Sequence, residues 1–352
     1  MEPPKTIVYV TRDIERANSM EQGENYVIVS NEKGSALDTY ELLQTKRVEK
    51  LMEEKKDAAI LVFQNTSRIE RLCAEKKWKL LNPSAELSKK VEEKISQYEW
   101  LGGLRKYLPP TEVKKMSEIV FEGKPIVVQF NHGHTGLGTK IIKNDGELSE
   151  LSAKFPDRPS RVSDFIDGPV FTLNIVVAKN GVFTGNISYQ ITGLPEFTDN
   201  PFSTIGNDWR LPNEILSEKE KKEIFNMSKA VGAKMSLEKW LGLFGIDVIL
   251  DGKSRKIYLL EINARQPAST TCESILQKSI GKNMTTFEAH IAALLGEKVR
   301  NIQKISDGAQ IVLRENGTAK EISRVRSDEG IMKSHGKLNS AGQKISSKIS
   351  KK

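Results

Sequence analysis

The sequence predicts a mixed α/β and α+β protein, with a parallel α/β unit at the N-terminus and a larger region of antiparallel strands and helices after it. Three patterns point there. Short β-rich runs alternate with helical periods through residues 1–85, as in parallel α/β folds. A Gly-rich loop then joins two strand signals, Ile126 to Phe130 and Thr139 to Lys143. Finally, two apolar runs, Gly245 to Asp251 and Ile257 to Arg265, face each other across a short basic connection.

The first unit reads as strands at Thr6 to Val10, Tyr26 to Ser30, Ala58 to Phe63 and Lys79 to Leu81. A helical stretch spans Tyr40 to Lys56, with apolar residues at Leu42, Leu43, Val48, Leu51 and Met52, and a second spans Arg68 to Lys77. No GxGxxG follows the first strand, so a dinucleotide site has no support. Asn82-Pro83 marks a boundary and Ser84 a helix cap. The segment Ala85 to Tyr107 reads as one helix, stopped by Pro109-Pro110. Further strands are expected at Ser160 to Ile166, Phe171 to Ala178 and, after the Asn180-Gly181 turn, Val182 to Gln190. A long helix, Ser217 to Leu237, precedes the apolar hairpin. Helices at Thr271 to Ser279 and Thr285 to Leu295 follow, and Gly308 to Leu313 with Glu321 to Val325 form a closing strand pair.

A chain of 352 residues has room for two or three units with their own cores. No apolar run approaches the ~20 residues of a membrane span, and Met1 to Lys5 does not begin a secretory signal, so a cytoplasmic protein is expected. Cys73 and Cys272 are the only cysteines and have no metal spacing, which suits core thiols. The net charge of +8 is concentrated at the end. Six lysines lie beyond Ile331 without an acid among them, leaving about +2 for the rest. That Ser-, Gly- and Lys-rich segment, residues 331–352, reads as a flexible tail. It carries no aromatics for base stacking, which argues against a nucleic-acid role.

Asp247, Glu261 and Asn263 interrupt runs that otherwise read as buried strands. Burying an unpaired carboxylate costs several kcal/mol, so such groups call for a cation. With a three-residue loop at Lys253 to Arg255, Asp247 falls opposite Glu261, and Asn263 lies two residues on, on the same face. Two carboxylates and a carboxamide form a hard-oxygen set of the kind Mg²⁺ shares with nucleotide phosphates. An ATP-using enzyme is the expectation. The Gly-rich loop Asn131 to Thr139 lacks the Gly-Lys-Ser/Thr ending of a Walker loop and is followed by a strand. It fits a flap whose backbone N–H groups lie over phosphates, or an ordinary hairpin loop.

In order and spacing, these motifs resemble the ATP-grasp superfamily. The resemblance is to the carboxylate–amine ligase type, with a core like that of carbamoyl phosphate synthetase and biotin carboxylase. It covers residues 1–300 and rests on Glu93-Lys94-Ile95, the Gly-rich loop, Arg161 to Gly168, Gly245-Ile246-Asp247 and Glu261 to Arg265. It implies a Rossmann-like unit at 1–85 and a two-subdomain ATP-grasp fold at 86–300. Residues 86–165 would bear the lid and 166–300 the metal and nucleotide site, with closing strands at 301–330.

The resemblance also implies roles. Asp247, Glu261 and Asn263 become ligands of Mg²⁺, or Mn²⁺, bridging the phosphates of ATP. Arg265 becomes the arginine that steadies the transferring phosphoryl group, a task suited to a planar cation. Lys94 lies along the phosphates, Asp164, Phe165 and Ile166 form the hinge that reads adenine, and Gly133, Gly136 and Gly138 belong to the lid. The implied activity activates a carboxylate as an acyl phosphate for attack by an amine, with small-molecule partners; the alternative is an ATP-binding protein with little catalysis. A homodimer is the base-rate expectation for assembly. The sequence departs from the family at Gln129, where many members carry a lysine or arginine; Lys140 and His132 are candidates to replace that charge. Gln190 to Gly193 and Gly206 to Arg210 are candidates for shaping the acceptor side.

Overall fold

A computed structural model describes residues 4–32, 35–131, 138–194, 198 and 203–312, and the backbone of 331–333. The N-terminal sheet contains β1 (Thr6–Val10), β2 (Tyr26–Val29), β3 (Ala58–Val62) and β4 (Lys79–Leu80), in the order β2-β1-β3-β4 and parallel throughout. The helical stretch expected at Tyr40 to Lys56 divides into α1 (Thr39–Leu43) and α2 (Lys46–Glu54), because Thr45 starts a new helix by capping Val48. With α3 (Ser67–Glu75), these helices bury Leu42, Val48, Met52, Ile69 and Cys73 against Val8 and Val10. The alternate residues Ile7 and Tyr9 face the rest of the molecule.

The helix expected at Ala85 to Tyr107 is also broken, into α4 (Ala85–Glu92) and α5 (Lys94–Leu101). Glu93 ends one and begins the other, with extended ψ of 136°. No Pro or Gly causes the break. Instead Asn131, the first residue of the Gly-rich loop, accepts a hydrogen bond from the Ile95 N–H (3.0 Å) and donates to the Glu93 carboxylate (2.7 Å).

An antiparallel sheet follows: β5 (Thr111–Lys115), β6 (Ile126–Gln129), β7 (Thr139–Ile142) and, after α6 (Asp145–Lys154), β8 (Pro159–Asp164), ordered β5-β8-β6-β7. The largest sheet holds β9 (Val170–Ala178), β10 (Gly181–Thr192) and β11 (Thr204–Asp208). After α7 (Leu211–Ile215) and α8 (Glu218–Leu237) come β12 (Gly242–Leu250) and β13 (Ile257–Asn263). Then follow α9 (Thr270–Ile280), α10 (Thr286–Leu295), β14 (Ala309–Val312) and β15 (Ile331–Lys333). The order is β13-β12-β9-β10-β11-β14-β15. Glu321 to Val325, expected to close the sheet, lies outside the described residues. β15, from the start of the expected tail, pairs with β14.

Alternation along β9 gives this sheet its two sides. Phe171, Leu173, Ile175 and Val177 pack with Ile246, Val248 and Ile262 against Ile224, Met227, Val231 and Met235 of α8. On the other face, Val176, Ala178 and Leu243 meet α10, whose Phe287 also touches Tyr9 and Tyr26 of the N-terminal sheet. Further along that face, Thr172 and Asn174 leave a polar strip that carries the candidate site.

Glu220 fastens α8 to the β12–β13 turn. It completes a capping box with Ser217 and accepts two hydrogen bonds from Arg255, at 2.8 and 2.7 Å. Arg255 thereby holds the Glu220 carboxyl at about 2, below the ordinary 4.5. A depressed carboxyl stabilises the fold above its unfolded pKa, and that stability is lost as pH falls through the folded one. Glu220→Gln should therefore unfold at lower urea at neutral pH, by about 1–2 kcal/mol. The difference from the parent should shrink between pH 4.5 and about 2. A pH-independent difference would remove the ion pair as its cause.

Candidate active site

The β12–β13 hairpin brings the three oxygen donors together. Its route differs from the expected one. Asp251 donates its N–H to the Lys256 carbonyl, so the loop is Gly252 to Arg255 rather than Lys253 to Arg255, and Leu250 pairs with Ile257. Continued regularly, that register would set Leu260 opposite Asp247 and turn Glu261 to the other face. A bulge between Asp247 and Val248 absorbs Leu260, and Asp247 pairs with Glu261 after all. Gly245, opposite Asn263, is required by a close approach: a Cβ there would lie 2.7 Å from Pro267 Cγ.

Asp247 accepts hydrogen bonds from Thr172 Oγ1 (2.7 Å) and Asn263 Nδ2 (3.1 Å). No described Lys or Arg forms an ion pair with it. Burial, and then Glu261, push its carboxyl up to about 6. Glu261 pairs with Lys94 Nζ at 2.7 Å. Burial alone would raise the Glu261 carboxyl, but Lys94, Arg265 and Arg161 outweigh it and hold it below its ordinary range. Arg265 pairs with Glu92, which also accepts from Gln64 Nε2 at 3.0 Å. The next residue, Gln266, is clamped by the N-terminal unit. It accepts from the Tyr9 hydroxyl (2.6 Å) and donates to the Arg16 carbonyl (2.8 Å). Lys94, Asp247, Glu261, Asn263 and Arg265 thus form one cluster at the joint of the sheets.

Gln129 meets this cluster through Arg161, to which sequence reasoning gave no role of its own. Gln129 and Arg161 are cross-strand partners on β6 and β8. Arg161 donates to Gln129 Oε1 (2.9 Å), Gln97 Oε1 (3.0 Å) and the Leu260 carbonyl (2.9 Å). Burial lowers its guanidinium to about 10, which leaves it charged at neutral pH. A charge between buried Ser160 and Val162 was the available signal. Glu92 and Thr172 were missed too, since nothing local marks a helix-end Glu or a strand Thr. Lys140 does not replace the charge at Gln129. It pairs with Val128 and is exposed, and strand alternation puts it on the opposite face from Gln129.

The residues expected to form the hinge make bonds elsewhere than to the cluster. The N–H groups of Asp164 and Phe165 donate to the Pro110 and Pro125 carbonyls, both at 3.1 Å; Ile166 takes part in neither bond. Beyond them Gly168 crosses the hairpin turn so closely that a Cβ would lie 1.9 Å from the Leu250 carbonyl oxygen. Gly138 accepts from the Phe130 N–H at 3.0 Å. Gly133, Gly136 and His132 lie outside the described residues. Gln190 donates to Thr172 Oγ1 (2.6 Å) and Asn207 to Ser188 Oγ (3.0 Å), extending the polar strip outward from Asp247. Cys73 and Cys272 are buried thiols.

The donor chemistry fits a hard divalent cation. Asp247 is a carboxylate without a direct cation, and Asn263 keeps its carboxamide oxygen while its Nδ2 faces Asp247. Among the described residues no three His, Cys, Asp or Glu side chains form a metal cluster. A cation here would be held by two carboxylates, a carboxamide and oxygens of its ligand, as Mg²⁺ commonly is.

The chain belongs to the ATP-grasp family: the ATP-grasp domain matches residues 91–269, just over half of it. No curated protein matches. Among solved structures, N5-carboxyaminoimidazole synthetase from Staphylococcus aureus is similar over 87% of this chain and 82% of its own, with 17% identity and a TM-score of 0.60. Biotin carboxylase from Campylobacter jejuni is similar over 85% and 72%, with 14% identity and a TM-score of 0.61. An N5-carboxyaminoimidazole synthase from Aspergillus clavatus, in complex with ADP and 5-aminoimidazole ribonucleotide, is similar over 84% and 78%, with 15% identity and a TM-score of 0.59. At such identities the likeness is one of fold. Among the described residues no helix is long and apolar enough to cross a membrane.

Proposed function

We propose that the chain is an ATP- and Mg²⁺-dependent ligase that activates a substrate carboxylate as an acyl phosphate and passes the acyl group to an amine. The observation that carries this proposal is the convergence of Asp247, Glu261 and Asn263 with the cations Lys94 and Arg265. When bound, Mg²⁺ neutralises phosphate charge and favours phosphoryl transfer. Asp247, Glu261 and Asn263 would hold it. Lys94, one helical turn from Gln97, is placed to exchange its contact with Glu261 for a phosphate oxygen. Arg265 is oriented by Glu92 and presents a planar cation for the oxygens of the transferring group. The carboxylate oxygen bonds to the γ-phosphorus as ADP leaves; the amine nitrogen then bonds to the acyl carbon as phosphate leaves. Positioning and charge account for catalysis, so no Ser or Cys nucleophile is needed.

The test is thermal unfolding with ATP, with Mg²⁺ and with both, followed by a screen of acids and amines for ADP release. A ligand at ~100 times its Kd that binds only the folded chain adds about 2.7 kcal/mol. Stabilisation that needs both components is expected. No stabilisation by any combination, together with no ADP release, would overturn the proposal. The alternative, nucleotide binding without turnover, is favoured by Gln129 and predicts stabilisation with no ADP release from any pair.

A further inference from the structure

Arg161 is the buried arginine among the described residues, 5% exposed, and its hydrogen bonds run to two carboxamide oxygens and a backbone carbonyl. Arg210, Arg255 and Arg265 each contact a carboxylate directly. Its hydrogen-bond acceptors are neutral, so its charge is met only through space, by Glu261, and an anion arriving beside it is favoured. Its location narrows the choice of anion. One bond is to Gln97, three residues beyond Lys94 on α5 and so on the same side of that helix. Another is to Leu260, the residue before Glu261. Arg161 therefore stands directly beside the Lys94–Glu261 pair.

Its contact with Gln129 also has a direction. A guanidinium has donors but no acceptor, so the Gln129 atom facing it must be the oxygen. The Gln129 Nε2 group is thereby turned away from Arg161, toward Thr139 Oγ1 at 3.2 Å. An amide held in this way is a fixed N–H donor polarised by a positive charge behind it.

We propose that Arg161 supplies the positive charge of the nucleotide's phosphate site in this chain, as a positioning residue acting through the Gln129 amide. This rests on the ATP-dependent reading above. The competing role is structural: Arg161 would only staple β8 to α5 and β13.

The experiment is calorimetric titration of the full chain with Mg·ATP, for the parent, Arg161→Gln, and Arg161→Gln combined with Gln129→Lys. Losing a charge-assisted donor should weaken binding about 10- to 100-fold in the single variant. The added lysine restores the charge one strand away and should recover most of that loss, which a lost staple would not allow. Unchanged affinity in Arg161→Gln, or a loss that Gln129→Lys does not recover, overturns the proposal. Should Arg161→Gln fail to fold, Gln129→Leu in the parent decides: weaker Mg·ATP binding with unchanged unfolding supports it, and unchanged binding overturns it. A parent that binds no Mg·ATP would instead remove the ATP-dependent reading, and this proposal with it.

Discussion

Under the proposed function, Glu261→Gln should reduce ADP release at saturating Mg·ATP by about a thousandfold or more, because it removes one of the two carboxylates that would hold the cation and the partner of Lys94. The fold should survive, since the Glu261 side chain is 37% exposed and glutamine has the same shape. Asp247→Asn should lose activity similarly but change stability in the opposite sense. A carboxyl raised to about 6 from the ordinary 3.8 weakens the fold as pH rises between those values, and at neutral pH the penalty is complete. Removing that charge should stabilise the metal-free protein by about 1–2 kcal/mol. Opposite movements of activity and urea midpoint would mark a site built at the expense of the fold. Undiminished ADP release in either variant would sink the assignment of these carboxylates.

Phe287→Ala should be the most destabilising single truncation at the junction of the sheets, costing about 3–5 kcal/mol. The ring is fully buried on α10, with centroids 6.1 Å from Tyr9 and 6.3 Å from Tyr26. It therefore fills the space between the N-terminal sheet and the largest one. Phe287→Leu should cost less, roughly 1–2 kcal/mol, because it leaves a smaller cavity. Urea unfolding of both variants measures the difference. Equal, small losses would mean that the two sheets are joined mainly elsewhere. Because Tyr9 also holds Gln266, the alanine variant should loosen the segment that carries Arg265 and weaken Mg·ATP binding as well.

The parts that the sequence made legible are those where a local pattern decides the structure. The parallel strands could be read from alternating periods, and the donor hairpin from carboxylates set among apolar neighbours. The hairpin's internal register could not be read, because a loop and a bulge shift it in opposite directions and their effects cancel at Asp247. The break at Glu93 leaves no local mark either, since Asn131 imposes it from a segment distant in sequence. Arg161 was visible as a residue but not in its role: its partners lie 32, 64 and 99 positions away. Lys140 was misjudged because adjacent strand residues face opposite ways, and only the pairing with Val128 says which way.

The break at Glu93 has a consequence for how the gene can change length. Glu92 meets Arg265, Glu93 meets Asn131 and Lys94 meets Glu261. Three neighbouring residues thus reach Arg265, the stem of the Gly-rich loop and the donor hairpin. Inserting or deleting one residue within α4 or α5 would turn the side chains beyond it by about 100°. No rotamer change could restore all three contacts at once. Exposed turns without such contacts should accept extra residues at little cost, whereas this junction should tolerate none.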